Sequence, residues 1–133
     1  MRDEEDNSWR VEDVRRETRP AFGFPKVTGI HYAVLRGQEV IETDDIFEWS
    51  RSFESFDRIV EQTTVNQYWI STVFIGLYST YRKGPPRWFE TMVFEEREGK
   101  SIKSGRFERH YSTWVEAKLG HDAMVEIIRY GNF

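Results

Sequence analysis

Apolar and polar residues alternate with a period of two along two stretches, Ile70 to Leu77 and Trp88 to Phe94, and these organise the chain. In the first, Ile70, Thr72 and Phe74 fall on one side, and Ser71, Val73, Ile75 and Leu77 on the other. Apolar residues on both sides predict a central strand covered twice. In the second, Trp88, Glu90, Met92 and Phe94 alternate with Phe89, Thr91 and Val93. Together they predict a hairpin, Tyr68 to Phe94, with Tyr78 to Arg87 as its connecting loop. Val27 to Ile41 reads as strand, turn, strand around Arg36-Gly37-Gln38. IVEQTTV, from Ile59, is a further strand ending at the turn pair Asn66-Gln67. Glu96 to Ser104 reads as a charged loop and GRFERHY as a short return strand.

Elsewhere the period lengthens. Thr43, Asp44 and Asp45 supply helix-starting acceptors, and Ile46, Trp49, Phe53 and Phe56 follow as one helical face. Near the end, Thr113-Trp114-Val115-Glu116 spells a capping box, in which hydroxyl and carboxylate each satisfy a free amide. Trp114, Ala117, His121, Met124 and Ile128 form the buried stripe of that last helix, with Arg129 near its carbonyl end. The elements predict an α+β domain over residues 27–133: a mainly antiparallel sheet of about five strands with two helices packed on one face. Residues 1–26 carry mostly charge, punctuated by Pro20, Gly23 and Pro25, and read as a flexible arm.

Composition narrows the function classes. A net charge of −4 over 133 residues argues against a general nucleic-acid coat. Neither helix has the basic face that docking on double-stranded DNA needs. No cysteine is present, so disulfides, thiolate metal sites and thiol nucleophiles are excluded. No apolar run approaches the roughly 20 residues of a membrane helix, and MRDEEDNSWR is charged rather than signal-like. The expected location is the cytoplasm.

Aromatics at 16% exceed what one small core needs, and several fall in the hairpin loop. Tyr78, Tyr81 and Trp88 offer π-faces, while Arg82, Lys83 and Arg87 offer charge; Arg109 adds to these if its strand lies beside Arg87. Rings stacked on aromatics with phosphates held by arginine is the physics of nucleotide capture. Exposed Tyr, Trp and Arg are equally the anchors of protein interfaces, so inhibition of a partner protein stays open. An enzyme is the third reading. It rests on Glu90, a carboxylate inside an aromatic strand whose pKa would rise on burial. His31, His110 and His121 are scattered over separate elements, and no nucleophile elbow, P-loop, HExxH pair or acidic metal cluster is legible. The expectation is therefore a non-enzymatic binder with no cofactor and no metal.

Three segments, STVFIGL, GPPRWFETMVF and YSTWVEAKLGHDAMVEII, together resemble a widespread family of small, mostly uncharacterised proteins encoded by bacteriophages and prophages. Members typically read STVFLGL, GPPLLFETMVF and YSTWEEA followed by a glycine-histidine pair, and the match spans about Ile41 to Ile128. The chain is also similar to phage counter-defence proteins that sequester nucleotide signals, such as those of the Thoeris system. The resemblance implies a phage accessory protein acting in the host cytoplasm on a nucleotide-type immune signal or a host defence protein; the sheet or the aromatic arm is expected to make it a homo-oligomer, a homodimer first. The chain departs from the pattern at Tyr78-Ser79, where members carry Asp-His, and at Arg87-Trp88, where they carry two leucines.

Overall fold

A computed structural model describes residues 29–131. The expected arm over residues 1–26 lies outside the described residues. Strands β1 (Ile30–Arg36) and β2 (Glu39–Thr43) lead to helix α1 (Ile46–Ser52) and a 3-10 turn (Phe56–Arg58). Then come β3 (Ile59–Val65), β4 (Tyr68–Phe74), β5 (Leu77–Ser79), β6 (Phe89–Arg97), β7 (Lys100–Tyr111) and α2 (Trp114–Tyr130). The α+β class and the antiparallel pairing are as expected. The strands divide over two sheets, a three-stranded one ordered β2-β1-β5 and a four-stranded one ordered β3-β4-β6-β7.

The hairpin forms as its alternation predicts, with Ile70 opposite Val93, Thr72 opposite Thr91 and Phe74 opposite Phe89. Its first strand is shorter than expected, because the chain breaks at Ile75-Gly76 and Leu77–Ser79 crosses to pair with β1. Gly76 has φ +71, and a Cβ there would overlap the carbonyl oxygen of Ala33. Only glycine lets the chain turn this corner so close to β1. The supposed charged loop over 96–104 is strand as well. Arg97 pairs with Lys100 across the turn at Glu98-Gly99, so the charges sit at the solvent end of a longer hairpin.

Each helix serves its own sheet. Asp45 caps α1 by accepting from the amides of Phe47 and Glu48, and α1 packs on β1 and β2. Trp49 is buried and its indole N–H donates to the Ile75 carbonyl at 3.1 Å, fixing the helix against the corner. The predicted apolar face stops there: Phe53 is at the surface and Phe56 is 86% exposed. The helix ends at Ser52, so the i, i+3, i+4 spacing no longer holds Phe56 over the sheet.

Helix α2 lies across β3, β4, β6 and β7, opened by the predicted capping box between Thr113 and Glu116. Ala117, His121, Met124, Val125 and Ile128 are buried under it. Two apolar clusters result. One joins Val65, Ile70, Val93 and Phe107 to Met124, Val125 and Ile128. The other, nearer the corner, joins Ala33, Phe74, Trp88, Phe89 and Ala117. A polar chain runs at the level of Thr72 and Thr91. His121 is fully buried, with Nε2 at 2.8 Å from Thr63 Oγ1 and Nδ1 at 2.7 Å from Thr72 Oγ1. Thr72 Oγ1 continues to Thr91 Oγ1 at 2.6 Å. Among the described residues no helix is long and apolar enough to cross a membrane.

Candidate functional site

The loop between β5 and β6 is held at its root. The amides of Ile75 and Gly76 both donate to the Trp88 carbonyl, at 2.7 and 3.1 Å. The Ser112 hydroxyl donates to the Pro86 carbonyl, and the amide of Thr80 donates to the Gly29 carbonyl at 2.8 Å. From this root the loop presents Tyr81, 81% exposed, with Arg82, Lys83 and Arg87 also exposed. Arg87 folds back over Gly84, where an added Cβ would meet its Nη2 at 3.7 Å. No carboxylate among the described residues pairs with any of these three cations.

Two of the expected loop aromatics play another part. Trp88 is a core residue, 5% exposed: it lies just before β6 and packs in the cluster with Ala33, Phe74 and Phe89. It offers no free face for stacking. Tyr78 is half-buried, with its ring 5.7 Å from Trp88 and 5.6 Å from His31. Arg109 stands opposite Thr91 on β7, and its Nη1 donates to the Glu108 carbonyl at 2.9 Å. The loop thus gathers Tyr81, Arg82, Lys83 and Arg87, with Tyr78 at its root.

A concavity of about 260 Å³ lies between β1, α1 and the 3-10 turn. Val34, Leu35 and Phe74 give it an apolar floor, and Arg36, Arg51 and Arg58 rim it. Arg36 is 3.5 Å from Glu48, Arg58 lies over the Phe53 ring at 5.5 Å, and Arg51 has no ionic partner among the described residues. The cleft escaped sequence reading because its arginines are spread over three elements.

A third constellation forms on the face of the larger sheet turned away from α2. Strand alternation puts Glu90 on that face, since its neighbours Phe89 and Thr91 point to the helix side. Glu90 stands opposite His110 in the ladder. Glu108 Oε2 is 2.9 Å from His110 Nε2, Glu90 Oε2 is 3.9 Å from the same nitrogen, and Lys103 Nζ is 3.6 Å from Glu108 Oε1. Burial, then the hydrogen bond with Glu108, pushes the Glu90 carboxyl above the usual range. The bonds from His110 and Glu90 hold Glu108 below it. One ligand atom from each of Glu90, Glu108 and His110 lies within 4.8 Å of the others. The sequence-based expectation of no metal cluster missed this group, whose members come from two strands. The readable signal was Glu108-x-His110, two metal-type ligands on one face of a strand.

Comparison with known proteins found no family model, curated protein or solved structure that matches this chain.

Proposed function

We propose that the protein is a non-enzymatic binder that captures a small anionic, ring-bearing ligand of nucleotide type on the loop between β5 and β6. The observation that carries this reading is the set of three exposed cations, Arg82, Lys83 and Arg87, without carboxylate partners among the described residues, beside the exposed ring of Tyr81. In a chain of net charge −4, three exposed cations concentrated on one tethered loop favour an anion. The two prolines and the closed root reduce the entropy lost when a ligand orders the loop. Tyr81 supplies the stacking face and the guanidinium groups supply charge-assisted bonds to phosphate. The resemblance to phage proteins gives the setting: sequestration of an immune signal in the host cytoplasm.

A thermal-shift screen of the full chain against linear and cyclic nucleotides, with mass spectrometry of what co-purifies, tests the reading. A nucleotide that raises the melting temperature of the wild type, but not of Tyr81→Ala or Arg82→Ala/Arg87→Ala, supports it. No shift with any nucleotide sinks it. A shift lost instead on Arg51→Ala moves the site to the cleft beside α1.

One observation favours protein association as a second reading. The outward side of α2 exposes Val115, Leu119 and Ile127, with Ala123 between them, as a ridge of i, i+4 steps that a step of three extends to Tyr130. Two copies crossing at Ala123 would cover this ridge with itself. Light scattering decides: a dimer that Leu119→Arg makes monomeric supports self-association. A wild-type monomer that retains one host protein stoichiometrically supports inhibition instead.

A further inference from the structure

We infer that Glu90, Glu108 and His110 form a binding site for a first-row transition-metal dication, Zn²⁺ being the probe of choice. One imidazole nitrogen and two carboxylate oxygens on a rigid sheet are a donor set that suits such an ion better than Mg²⁺ or Ca²⁺, which take oxygen alone. Bonds of about 2.0–2.2 Å place neighbouring ligand atoms about 3–3.4 Å apart. The 2.9 Å and 3.9 Å separations at His110 Nε2 bracket that spacing, so side-chain adjustment is enough to close the set.

The backbone explains how the three converge. The ladder between β6 and β7 is regular on both sides of a wide bulge, in which the chain between Ser104 and Arg109 faces Met92 alone. The bulge returns Glu108 and His110 to the face that carries Glu90. All three side chains are mostly shielded, at 16%, 29% and 20% exposure for Glu90, Glu108 and His110, while enough of Glu108 remains open for solvent ligands to complete the shell.

Electrostatics separates this group from an ordinary ion-pair network. Elsewhere in the same protein, neighbouring carboxylates share a permanent cation, as Glu61 and Asp122 share Lys118. Here Lys103 forms an ion pair only with the Oε1 edge of Glu108 and reaches Glu90 only through its longer-range charge; among the described residues no lysine or arginine forms an ion pair with Glu90, whose nearest basic group is His110. Two adjacent half-buried carboxylates with a single lateral lysine leave negative charge focused between Oε2 of each and Nε2 of the histidine. A dication there pairs with both carboxylates at once.

The test uses the full-length protein after chelator dialysis, titrated with ZnCl₂ by calorimetry and followed by thermal shift. Saturable one-to-one binding that raises the melting temperature is expected. Glu90→Gln and His110→Gln, each checked by circular dichroism for native folding, should weaken it at least about tenfold. Lys103→Ala should tighten it by removing a competing charge. Absence of saturable binding below about millimolar Zn²⁺, or binding that both Gln variants retain within about twofold, overturns the assignment.

Discussion

Lowering the pH from 7.5 to 5.5 should weaken this protein through His121. The ring is fully buried, and burial is the main cause that drives its pKa below 6.5; the charges of Glu61 and Asp122 oppose that shift, and Lys118 adds to it. The folded state therefore holds the neutral ring at pH values where the unfolded chain already binds a proton. With more protons on the unfolded state, stability rises with pH. The contribution is fully present above the unfolded value near 6.5 and is lost as pH falls through that value toward the depressed native one. For a single proton the slope is at most about 1.4 kcal/mol per pH unit, so between pH 6.5 and 5.5 the loss reaches up to about 1 kcal/mol.

His121→Leu, close in volume, isolates this effect. It deletes the bonds to Thr63 and Thr72 while Thr72 keeps Thr91. Two hydrogen bonds at about 0.5–1.5 kcal/mol each predict a loss of about 1–3 kcal/mol at pH 7.5. Urea unfolding of both proteins at pH 7.5, 6.5 and 5.5 gives two stability profiles. Titration of surface carboxylates contributes to both and cancels in their difference. The expected result is a gap that narrows as pH falls. A gap of constant size across this range would refute the account of a histidine held neutral by burial.

Other outcomes follow from single features. Gly120 lies against the Tyr111 ring so closely that an added Cβ would overlap it. Gly120→Ala should therefore lower the melting temperature, because overpacking of about 1–3 kcal/mol exceeds the helix-propensity gain of about 1 kcal/mol, and Tyr111→Leu should rescue it. Thr113→Ala removes the hydroxyl that accepts from the Glu116 amide at 3.1 Å and should cost about 1 kcal/mol in urea unfolding. Replacing Arg82, Lys83 and Arg87 together by alanine should change stability by no more than about 0.5 kcal/mol, since these exposed side chains have no ionic partners among the described residues. A larger loss would mean that the loop cations hold the fold rather than a ligand.

Local periodicity made much of the fold legible. The two strands of the hairpin, both helix starts and the stripe from Ala117 to Ile128 all follow from spacing and caps within one element. The division into two sheets was not legible. It depends on Gly76 approaching Ala33 across the fold, and nothing local in FIGLYS marks that encounter. Phe56 was misread for a related reason: its spacing suits a helix that Ser52 already ends. At the site, Tyr81 and the loop cations were readable as exposed turn residues. Trp88 was not, because an aromatic beside prolines looks the same in sequence whether the next strand begins before or after it. The Glu90–His110 pairing needed the ladder itself, since 20 positions separate the two in the chain.

The root of the loop has a consequence for how this protein can vary. Both ends of the segment from Thr80 to Arg87 are clamped, one by the Gly29 carbonyl and the other by Trp88 and Ser112. Inside the segment the amides of Tyr81 and Arg82 turn back only on Ser79, the last residue of β5. The segment is therefore a replaceable cassette, in which insertions, deletions or a foreign recognition sequence can be accommodated without a register slip in the strands it joins. That freedom ends at Trp88, where the side chain enters the core. Specificity can diverge quickly on one side of that residue while the scaffold on the other side stays fixed.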